Sequence, residues 1–239
     1  MAGYGSVLQA LALAGLTGDY GRALSAVVIG SGATARGAVN GLNAHGVHDV
    51  VVLTNGNAPI AGPPINAARA GVFVVDSDGG QRGHVITERG REELAGYLAQ
   101  RDIVVNCILQ DPAEPLFYLG ENDLEGFRPG SLIVDVSCDL GMGFSWARPT
   151  TFKEPTFVVG DNIVYYGVDH SPSYLWNTST WENSNALIPF LRTVMEGGSA
   201  WDNNETIRRA IEIRDGQAVN PRILDFQGRT DDPPFDVIR

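Results

Sequence analysis

The segment spanning residues 24–46 constrains the fold more than any other part of the chain. It reads LSAVVIGSGATARGAVNGLNAHG, an apolar run followed by a glycine turn and a helical run of small residues. The turn has the form GxGxxA, with Gly30, Gly32 and Ala35 at its three defining positions. In this form the first glycine permits the tight turn, the second lets the backbone approach a pyrophosphate, and the small third residue lets the helix pack on the strand. The segment therefore predicts a dinucleotide-binding unit, the alternative being a glycine turn without a ligand.

Short apolar runs recur after this unit, separated by loops or by helical patterns. Buried strands that alternate with helices indicate a parallel sheet covered on both faces. We therefore predict an α/β fold: a leading helix and a doubly wound, Rossmann-type parallel sheet over residues 1–170, and a C-terminal helical segment over residues 171–239. The predicted strands are residues 26–30, 49–53, 72–76, 102–109 and 131–139, and the predicted helices are a first one ending at Gly18 and two more over residues 33–46 and 87–100.

The pattern changes beyond residue 150. The run TFVVGDNIVYYGV predicts two strands around a Gly-Asp-Asn turn. Ser179 and Glu182 have the spacing of a capping box, which predicts a helix that begins there. A second helix is predicted over the run DNNETIRRAIEI, so we expect the last part of the chain to be mainly helical.

Charge and cysteine content restrict the class of protein. The net charge of −11 argues against nucleic acid or an anionic membrane as a partner. Cys107 and Cys138 are too few for a disulfide framework, and both lie in apolar runs, so we interpret them as buried thiols in a reducing compartment. The apolar opening of the chain has no basic segment before it and predicts a helix rather than a signal peptide. No apolar stretch approaches membrane-spanning length, and we predict a cytoplasmic protein.

The end of the second predicted strand bears on the choice of cofactor. An acidic side chain at this place holds the ribose of NAD, and it would repel the 2′-phosphate of NADP. The strand is followed instead by Thr54 and Asn55, which can donate hydrogen bonds to that phosphate, and Arg36 and Arg69 are the nearby arginines. We predict that NADP(H) is preferred over NAD(H); the alternative is an uncharged pair that tolerates NAD.

Two blocks in the second half of the chain carry a resemblance to a known family. They are DVSCDLGMGFSWARPTTF, residues 135–152, and VYYGVDHSPSYLWNTSTWENSNALIPFL, residues 164–191. Both resemble the C-terminal parts of the alanine dehydrogenase family. The closer likeness is to its carboxyethylornithine synthase branch, which makes secondary amino acids by reductive condensation of an amino acid with a 2-oxo acid. The resemblance runs over essentially the whole chain, and the opening AGYGSVLQALALAG is similar to the family's helix leading into its cofactor domain.

The resemblance implies roles for individual residues. Asp139 matches the family aspartate beside the nicotinamide and the substrate, which implies the acidic group of the site; the alternative is a turn cap. His170 falls where the family places groups against the nicotinamide, but alanine dehydrogenases have asparagine there, so a catalytic and a structural role both stay open. Arg148 would bind a substrate carboxylate or form an exposed ion pair. No metal site is predicted, and the predicted cofactor-binding residues, most of them at strand ends, are Gly30, Ser31, Gly32, Ala33, Thr34, Thr54, Asn55, Asn106, Cys107, Ile108, Leu109, Val136, Ser137 and His170.

The chain also departs from the family. The family has an N-terminal substrate lobe that carries a lysine and a histidine of the active site, whereas this chain begins at the linking helix and has Lys153 as its one lysine. We therefore expect that the chain is a fragment, or a short protein whose substrate lobe comes from another polypeptide. Apolar residues that would pack on that lobe then need another partner, which predicts a homo-oligomer or a hetero-complex. They include Leu187, Ile188, Phe190 and Leu191.

Three functions follow from these observations. The first is an NAD(P)H-dependent oxidoreductase of the amino-acid dehydrogenase type, which reduces an imine formed from a 2-oxo acid and an amine or amino acid. Its partners would be these small molecules, with no nucleic acid and no membrane. The second is a cofactor-binding subunit that is inactive alone. The third is a dehydrogenase of another α/β family that acts on hydroxy acids, which the VDHSPSYLWN block disfavours.

Overall fold

The computed structural model of the chain describes residues 1–54, 68–75, 83–87, 90–110 and 115–226. The chain divides into two compact units, Met1–Trp176 and Asn177–Arg239. The helices are α1 (Ala2–Leu13), α2 (Ala33–Ala44), α3 (Leu94–Ala99), α4 (Trp176–Glu196), α5 (Gly198–Asn203), α6 (Glu205–Ala210) and α7 (Pro221–Phe226). The strands are β1 (Ser25–Ile29), β2 (Asp49–Thr54), β3 (Ala68–Val75), β4 (Gly83–Thr87), β5 (Gly90–Glu93), β6 (Ile103–Asn106), β7 (Phe117–Leu119), β8 (Leu132–Asp135), β9 (Gly143–Phe144), β10 (Thr156–Val159), β11 (Ile163–Tyr166), β12 (Ile213–Arg214) and β13 (Gln217–Ala218).

One large sheet forms the centre of the first unit. Within the described residues its order is β10-β11-β8-β6-β1-β2-β3-β4-β5. The six strands from β11 to β3 pair in parallel, whereas β10 at one edge and β4 and β5 at the other are antiparallel. The chain first builds outward from β1 to β3 and then continues on the other side of β1 with β6, β8 and β11, which is the doubly wound arrangement.

Alternate residues of β1 supply the cores on the two faces of the sheet. Val27 and Ile29 belong to the core that includes side chains of α3. Ala26 and Val28 belong to the core that α1 and α2 cover. All four side chains are fully buried, as expected for a strand whose successive residues point to opposite, covered faces. The predicted Rossmann-type α/β fold is confirmed.

The small residues of α2 allow α1 to pack directly on its backbone. A Cβ at Gly3 of α1 would lie 2.0 Å from the carbonyl oxygen of Thr34, which is a steric clash, so this position accepts only glycine. On the facing helix, a Cβ at Gly37 would lie 3.1 Å from the amide nitrogen of Tyr4. This close packing holds α1 against the first turn of α2, next to the glycine turn.

Within the described residues, the second unit contains most of α4, the short helices α5, α6 and α7, and a β-hairpin formed by the two-residue strands β12 and β13. The side chain of Asn204 caps α6 by accepting a hydrogen bond from the Ile207 amide at 3.1 Å. Arg214 in the hairpin binds the carboxylate of Asp202 in α5 through two nitrogen atoms. Several large apolar side chains of α4 are exposed, among them Trp181, Leu187, Ile188, Leu191 and Met195, whereas Phe190 is partly buried.

Four predictions of helix bounds were wrong. The first helix ends at Leu13 rather than at Gly18, because Gly15 has φ +65°. The helix predicted over DNNETIRRAIEI is divided into α5 and α6 by the extended backbone of Asn204, and α6 ends at Ala210. The helix predicted over residues 87–100 starts only at Leu94, because residues 90–93 form β5 and pair with β4, and the positive φ of Gly90 (116°) is incompatible with a helix. The helix predicted to begin at Ser179 begins at Trp176, because it continues directly from a 3-10 helix over Ser171–Leu175. Ser179 and Glu182 therefore lie inside α4. None of the described helices combines the length and the apolar character that a membrane span requires.

Candidate functional site

The carboxyl ends of four adjacent parallel strands converge at one edge of the sheet. These strands are β1, β6, β8 and β11. The strands that follow β1 first add on one side of it, and β6 then adds on its other side, so the order of the strands reverses between β1 and β6. In open α/β sheets, ligands bind in the crevice outside the carboxyl ends of the strands at such a reversal. The predicted strands 102–109 and 131–139 are shorter than expected, so residues 107–109 and 136–139 are loops at this edge.

The turn after β1 lies directly against the loop after β6. Gly30 has φ +118°, a conformation that favours glycine, and its amide donates to the Leu53 carbonyl of β2 at 2.8 Å. A Cβ at Gly30 would lie 3.2 Å from the carbonyl oxygen of Cys107. The Cys107 amide in turn donates to the Ile29 carbonyl at 2.9 Å. Gly30 is therefore required by the fold itself at this point.

Gly32 lies in a different environment from Gly30. It is the N-cap of α2, its φ of −76° is ordinary, and a Cβ there would meet no atom of the described residues within 4 Å. As a glycine, Gly32 has no side chain that could cap the N-terminus of α2, and the first amides of a helix have no partner within the helix. Ser31, Ala33 and Thr34 surround Gly32 in the same turn. Open space beside uncapped amides is the arrangement that accepts a phosphate group.

The end of β2 tests part of the prediction about the ribose. Thr54 is the last residue of β2 and is partly buried, while Asn55 lies outside the described residues. Arg36 is in the first turn of α2, on the side of this edge. Arg69 does not lie on this side of the sheet. It pairs with Asp49, the first residue of β2, at the amino end of that strand. Five residues of strand, about 17 Å, separate Asp49 from Thr54, so the expectation that Arg69 reaches the cofactor was wrong.

The loops after β6 and β8 are joined to each other. Ser137 Oγ donates to the Ile108 carbonyl at 2.6 Å, and the Val136 amide donates to the Asn106 carbonyl at 2.9 Å. Asn106 itself is fully buried, and its side-chain oxygen accepts from the Ile108 amide at 3.3 Å. The Asn106 side chain therefore supports the loop from below, whereas Leu109 is almost fully exposed at the edge.

Asp135, the last residue of β8, is buried beneath this edge. Its Oδ1 accepts hydrogen bonds from Asn106 Nδ2 at 3.0 Å and from the Cys138 amide at 2.9 Å, and its Oδ2 accepts one from the Tyr165 hydroxyl at 2.8 Å. Burial raises the pKa of Asp135 to about 6; the three donors oppose this shift, and the Asp139 carboxylate adds to it. The titratable groups around Asp135 are Cys107, Tyr118, Cys138, Asp139 and Tyr165.

Tyr165 is the member of this group that the sequence analysis missed. In the run IVYY it has the appearance of a core residue, and it is indeed fully buried. Its contact with Asp135 depends on the pairing of β11 beside β8, which places Tyr165 opposite Ile133. The signal in the sequence was an aspartate at the end of an apolar strand, because such a carboxylate needs donors from neighbouring strands.

Asp139 and His170 lie in the loops after β8 and β11. Asp139 is partly exposed, and within the described part of the chain no hydrogen bond is made to its carboxylate. Burial raises the pKa of the Cys138 thiol to about 12, and the carboxylates of Asp135, Asp169 and Asp139 contribute, so these groups lie around Cys138. His170 Nδ1 contacts the Asp169 carboxylate, and its ring packs edge-on against Phe152 with 4.6 Å between centroids.

The remaining candidates have well-defined contacts as well. The guanidinium of Arg148 lies over the Phe157 ring, 4.3 Å from its centroid, and the side chain is exposed. Cys107 and Cys138 are both free thiols, and burial raises the pKa of Cys107 far above its usual range, so both are protonated at neutral pH.

Comparison with known proteins identifies the family. The model described as "Alanine dehydrogenase/PNT, C-terminal domain" matches residues 9–221. The alanine dehydrogenase of Mycobacterium tuberculosis is 27% identical over 148 residues, which are 61% of this chain and 40% of that protein. The alanine dehydrogenase of Halomonas elongata is 31% identical over 139 residues, which are 57% of this chain and 37% of that protein. The chain thus spans about 40% of the length of these curated relatives.

Solved structures show the same fold. An L-alanine dehydrogenase superimposes on this chain with a TM-score of 0.63 at 16% identity. The superposition covers 95% of this chain and 63% of the chain of the L-alanine dehydrogenase. A transhydrogenase from Sinorhizobium meliloti superimposes with a TM-score of 0.61 at 19% identity. The superposition covers 91% of this chain and 61% of the transhydrogenase chain. The branch within the family stays a prediction. Because the family model extends over most of the sequence, the chain belongs to the family of the alanine dehydrogenase/PNT C-terminal domain.

Proposed function

We propose that the chain is the cofactor-binding part of an NAD(P)H-dependent oxidoreductase of the amino-acid dehydrogenase type. The reaction is the reduction of an imine formed from a 2-oxo acid and an amine or amino acid, as in alanine dehydrogenase or carboxyethylornithine synthase. The observation that carries this proposal is the convergence of the glycine turn, the loops after β6 and β8, and Asp139 at the reversal point of the sheet.

The residues at this edge fit a nicotinamide dinucleotide. The open space at Gly32 and the uncapped amides of α2 would hold the pyrophosphate, with Ser31, Ala33 and Thr34 around it. The loops 107–109 and 136–137 would line the nicotinamide side, where the exposed Leu109 offers an apolar surface. When bound, the cofactor supplies the hydride, and the protein supplies binding, orientation and electrostatics.

The preference for NADP(H) over NAD(H) is part of the proposal. It rests on the uncharged Thr54 and Asn55 in place of a carboxylate and on Arg36 in the first turn of α2. Arg69 takes no part, because it pairs with Asp49 at the far edge. Thr54 and Arg36 both have interactions within the protein, so binding a 2′-phosphate would compete with these.

Asp139 is the proposed acidic group for the substrate. A partly exposed carboxylate just beyond the end of a parallel strand can orient an iminium nitrogen or exchange a proton with it. His170 is placed one strand further along, and its contact with Asp169 orients its ring. We assign His170 a positioning role at the nicotinamide side, and Arg148 is the candidate for binding a substrate carboxylate.

The second candidate function is a cofactor-binding subunit that is inactive alone and is completed by another chain. The observation that favours it is that the matched region is about 40% of the length of the alanine dehydrogenases. The exposed apolar side chains of α4 fit association with a second copy or with a different chain. In either case the free thiols fit a cytoplasmic, reducing location.

Turnover by the purified chain separates the two candidates. NADPH and NADH oxidation would be followed with pyruvate plus ornithine, lysine or ammonia. Turnover that is lost in the Asp139→Asn variant supports the oxidoreductase, while cofactor binding without turnover supports the inactive subunit. Activity on a 2-hydroxy acid in the absence of any amine would contradict both and favour a hydroxy-acid dehydrogenase. The matched control is Asp161→Asn, which removes an exposed carboxylate in the turn before β11, at the end of that strand away from Asp139.

A further inference from the structure

The buried carboxylate of Asp135 joins three segments of the chain at one point. Its hydrogen bonds come from Asn106 at the end of β6, from the Cys138 amide in the loop after β8, and from Tyr165 in β11. All of these donors are neutral, so a buried charge is held without a cation.

The Cys138 turn is the part of this arrangement that bears on Asp139. Cys138 has φ +42°, in the left-handed region that a non-glycine residue rarely adopts. Its amide is held by Asp135 Oδ1 at 2.9 Å, and its side chain is buried. Because Asp139 is the next residue, the backbone direction at Cys138 sets where the Asp139 carboxylate points.

The same carboxylate also supports the loop after β6. Asn106 donates to Asp135 through Nδ2 and accepts from the Ile108 amide through its side-chain oxygen. The Ile108 carbonyl accepts from Ser137, so the loops after β6 and β8 form a single hydrogen-bonded layer above Asp135. Displacement of the Asp135 side chain would therefore be transmitted to both loops.

Stability alone does not explain a carboxylate at this position. Removing a charge from water without a cationic partner disfavours the ionised form, and burial is indeed the largest influence on the pKa of Asp135. Asp102 at the opposite edge is different: it accepts from the Ser25 amide at 2.8 Å and pairs with Arg22 at 2.8 Å. Asp102 therefore stabilises the sheet, whereas ionised Asp135 opposes stability.

We propose that Asp135 is a positioning residue of the site: its buried carboxylate holds the left-handed turn at Cys138 and the loop 107–109, and so directs Asp139 toward the substrate. The proposal rests on the proposed oxidoreductase function for its consequence in turnover. The geometric part, that Asp135 holds the Cys138 turn closed, can be tested without any activity.

The test is thiol labelling of the full chain, with each cysteine resolved by mass spectrometry. In the Asp135→Ala variant at neutral pH, which removes both carboxylate oxygens, we expect the turn to loosen and Cys138 to react with a maleimide about tenfold faster than in the wild type, because the equilibrium constant for local opening rises about tenfold. The Asp102→Ala variant is the matched control, because it removes a buried carboxylate at the opposite end of the sheet and leaves Cys138 labelling unchanged. Unchanged Cys138 labelling in Asp135→Ala, or faster labelling accompanied by loss of the urea unfolding transition, would overturn the proposal.

Turnover provides a second and separate readout. If the wild type is active, Asp135→Ala lowers kcat, and adding it to Asp139→Asn causes no further loss, because both changes remove the same interaction with the substrate. Additive losses in kcat would contradict the positioning role. If no substrate is turned over, the proposed function fails while the labelling experiment still decides the role of Asp135.

Discussion

The hydroxyl of Tyr165 donates a 2.8 Å hydrogen bond to Oδ2 of Asp135, and both side chains are fully buried beneath the edge that carries Asp139. Hydrogen bonds hold this charge where an ion pair would ordinarily be required. Two buried aspartates of one sheet therefore have opposite properties: burial raises the pKa of Asp135, while hydrogen bonds from Ser25 and Arg22 overcome burial and lower that of Asp102.

Stability should depend on pH in opposite ways at these two aspartates. The pKa of Asp135 is about 6 in the folded protein against an ordinary value of 3.8. The protonated side chain therefore contributes fully to the free energy of unfolding below pH 3.8, and this contribution is lost as the pH rises through 6. We expect the free energy of unfolding of the wild type, relative to Asp135→Asn, to fall by at most about 3 kcal/mol between pH 4 and pH 7. Urea unfolding at several pH values measures this difference.

Asp102→Asn supplies the comparison. Because the pKa of Asp102 is lowered, its contribution is present above pH 3.8 and is lost only at more acid pH. The destabilisation of Asp102→Asn, about 1–3 kcal/mol, should therefore stay constant between pH 5 and pH 7. Parallel pH dependences for the two variants would contradict the assignment of Asp135 as a costly buried charge.

Removing the Tyr165 hydroxyl should affect the ionised form of Asp135. In Tyr165→Phe, Asp135 Oδ2 loses its donor, so we expect a loss of about 1–3 kcal/mol in unfolding free energy at pH 7 and a smaller loss at pH 5, where Asp135 is protonated. Tyr166→Phe is the matched control, because its hydroxyl donates to neutral Gln9 at 2.7 Å. The loss of unfolding free energy in Tyr166→Phe should not vary with pH. If the two variants showed the same pH dependence, the coupling of the Tyr165 hydroxyl to Asp135 would be disproved.

The two glycines of the turn should separate folding from binding. Gly30→Ala introduces a Cβ at φ +118°, 3.2 Å from the Cys107 carbonyl, and should lower the unfolding free energy by about 1–3 kcal/mol. Gly32→Ala places its methyl group in open space and should change stability by at most about 1 kcal/mol, while it reduces dinucleotide affinity. Thermal unfolding and titration calorimetry on both variants check this; equal destabilisation by the two would be inconsistent with the structure.

The arginines near β2 should differ in their effect on cofactor choice. Arg36→Ala should weaken NADPH binding more than NADH binding, because Arg36 is in the first turn of α2. Arg69→Ala should leave the ratio of the two affinities unchanged, since Arg69 pairs with Asp49 at the far edge. A larger change in the ratio for Arg69→Ala than for Arg36→Ala would reverse the assignment.

Much of the first unit could be predicted from local pattern. The apolar runs around Val27 and Val51 and the GxGxxA turn each specify their structure through neighbouring residues, and they were correctly interpreted. Residues 90–93 were not, because β5 exists through pairing with β4, and such pairing overrides a helical pattern. Similarly, the preceding 3-10 helix, rather than Ser179, sets the start of α4.

The site shows the same limit. Gly30 and Asp139 follow strands and are recognisable in the sequence by that position. Two features depend on which strands are neighbours and in which register they pair. They are the contact between Asp135 and Tyr165 and the position of Arg69 at the opposite end of β2. A single sequence does not contain this information in any local pattern, so both required the structure.

The most direct test of the central claim is calorimetric titration of the wild type and Gly32→Ala with NADPH and NADH. The claim predicts one binding site per chain, tighter binding of NADPH than of NADH, and an affinity about tenfold or more lower in Gly32→Ala, whose unfolding free energy differs from that of the wild type by at most about 1 kcal/mol. Absence of binding for both dinucleotides, or equal affinity in the wild type and the folded Gly32→Ala variant, would contradict it.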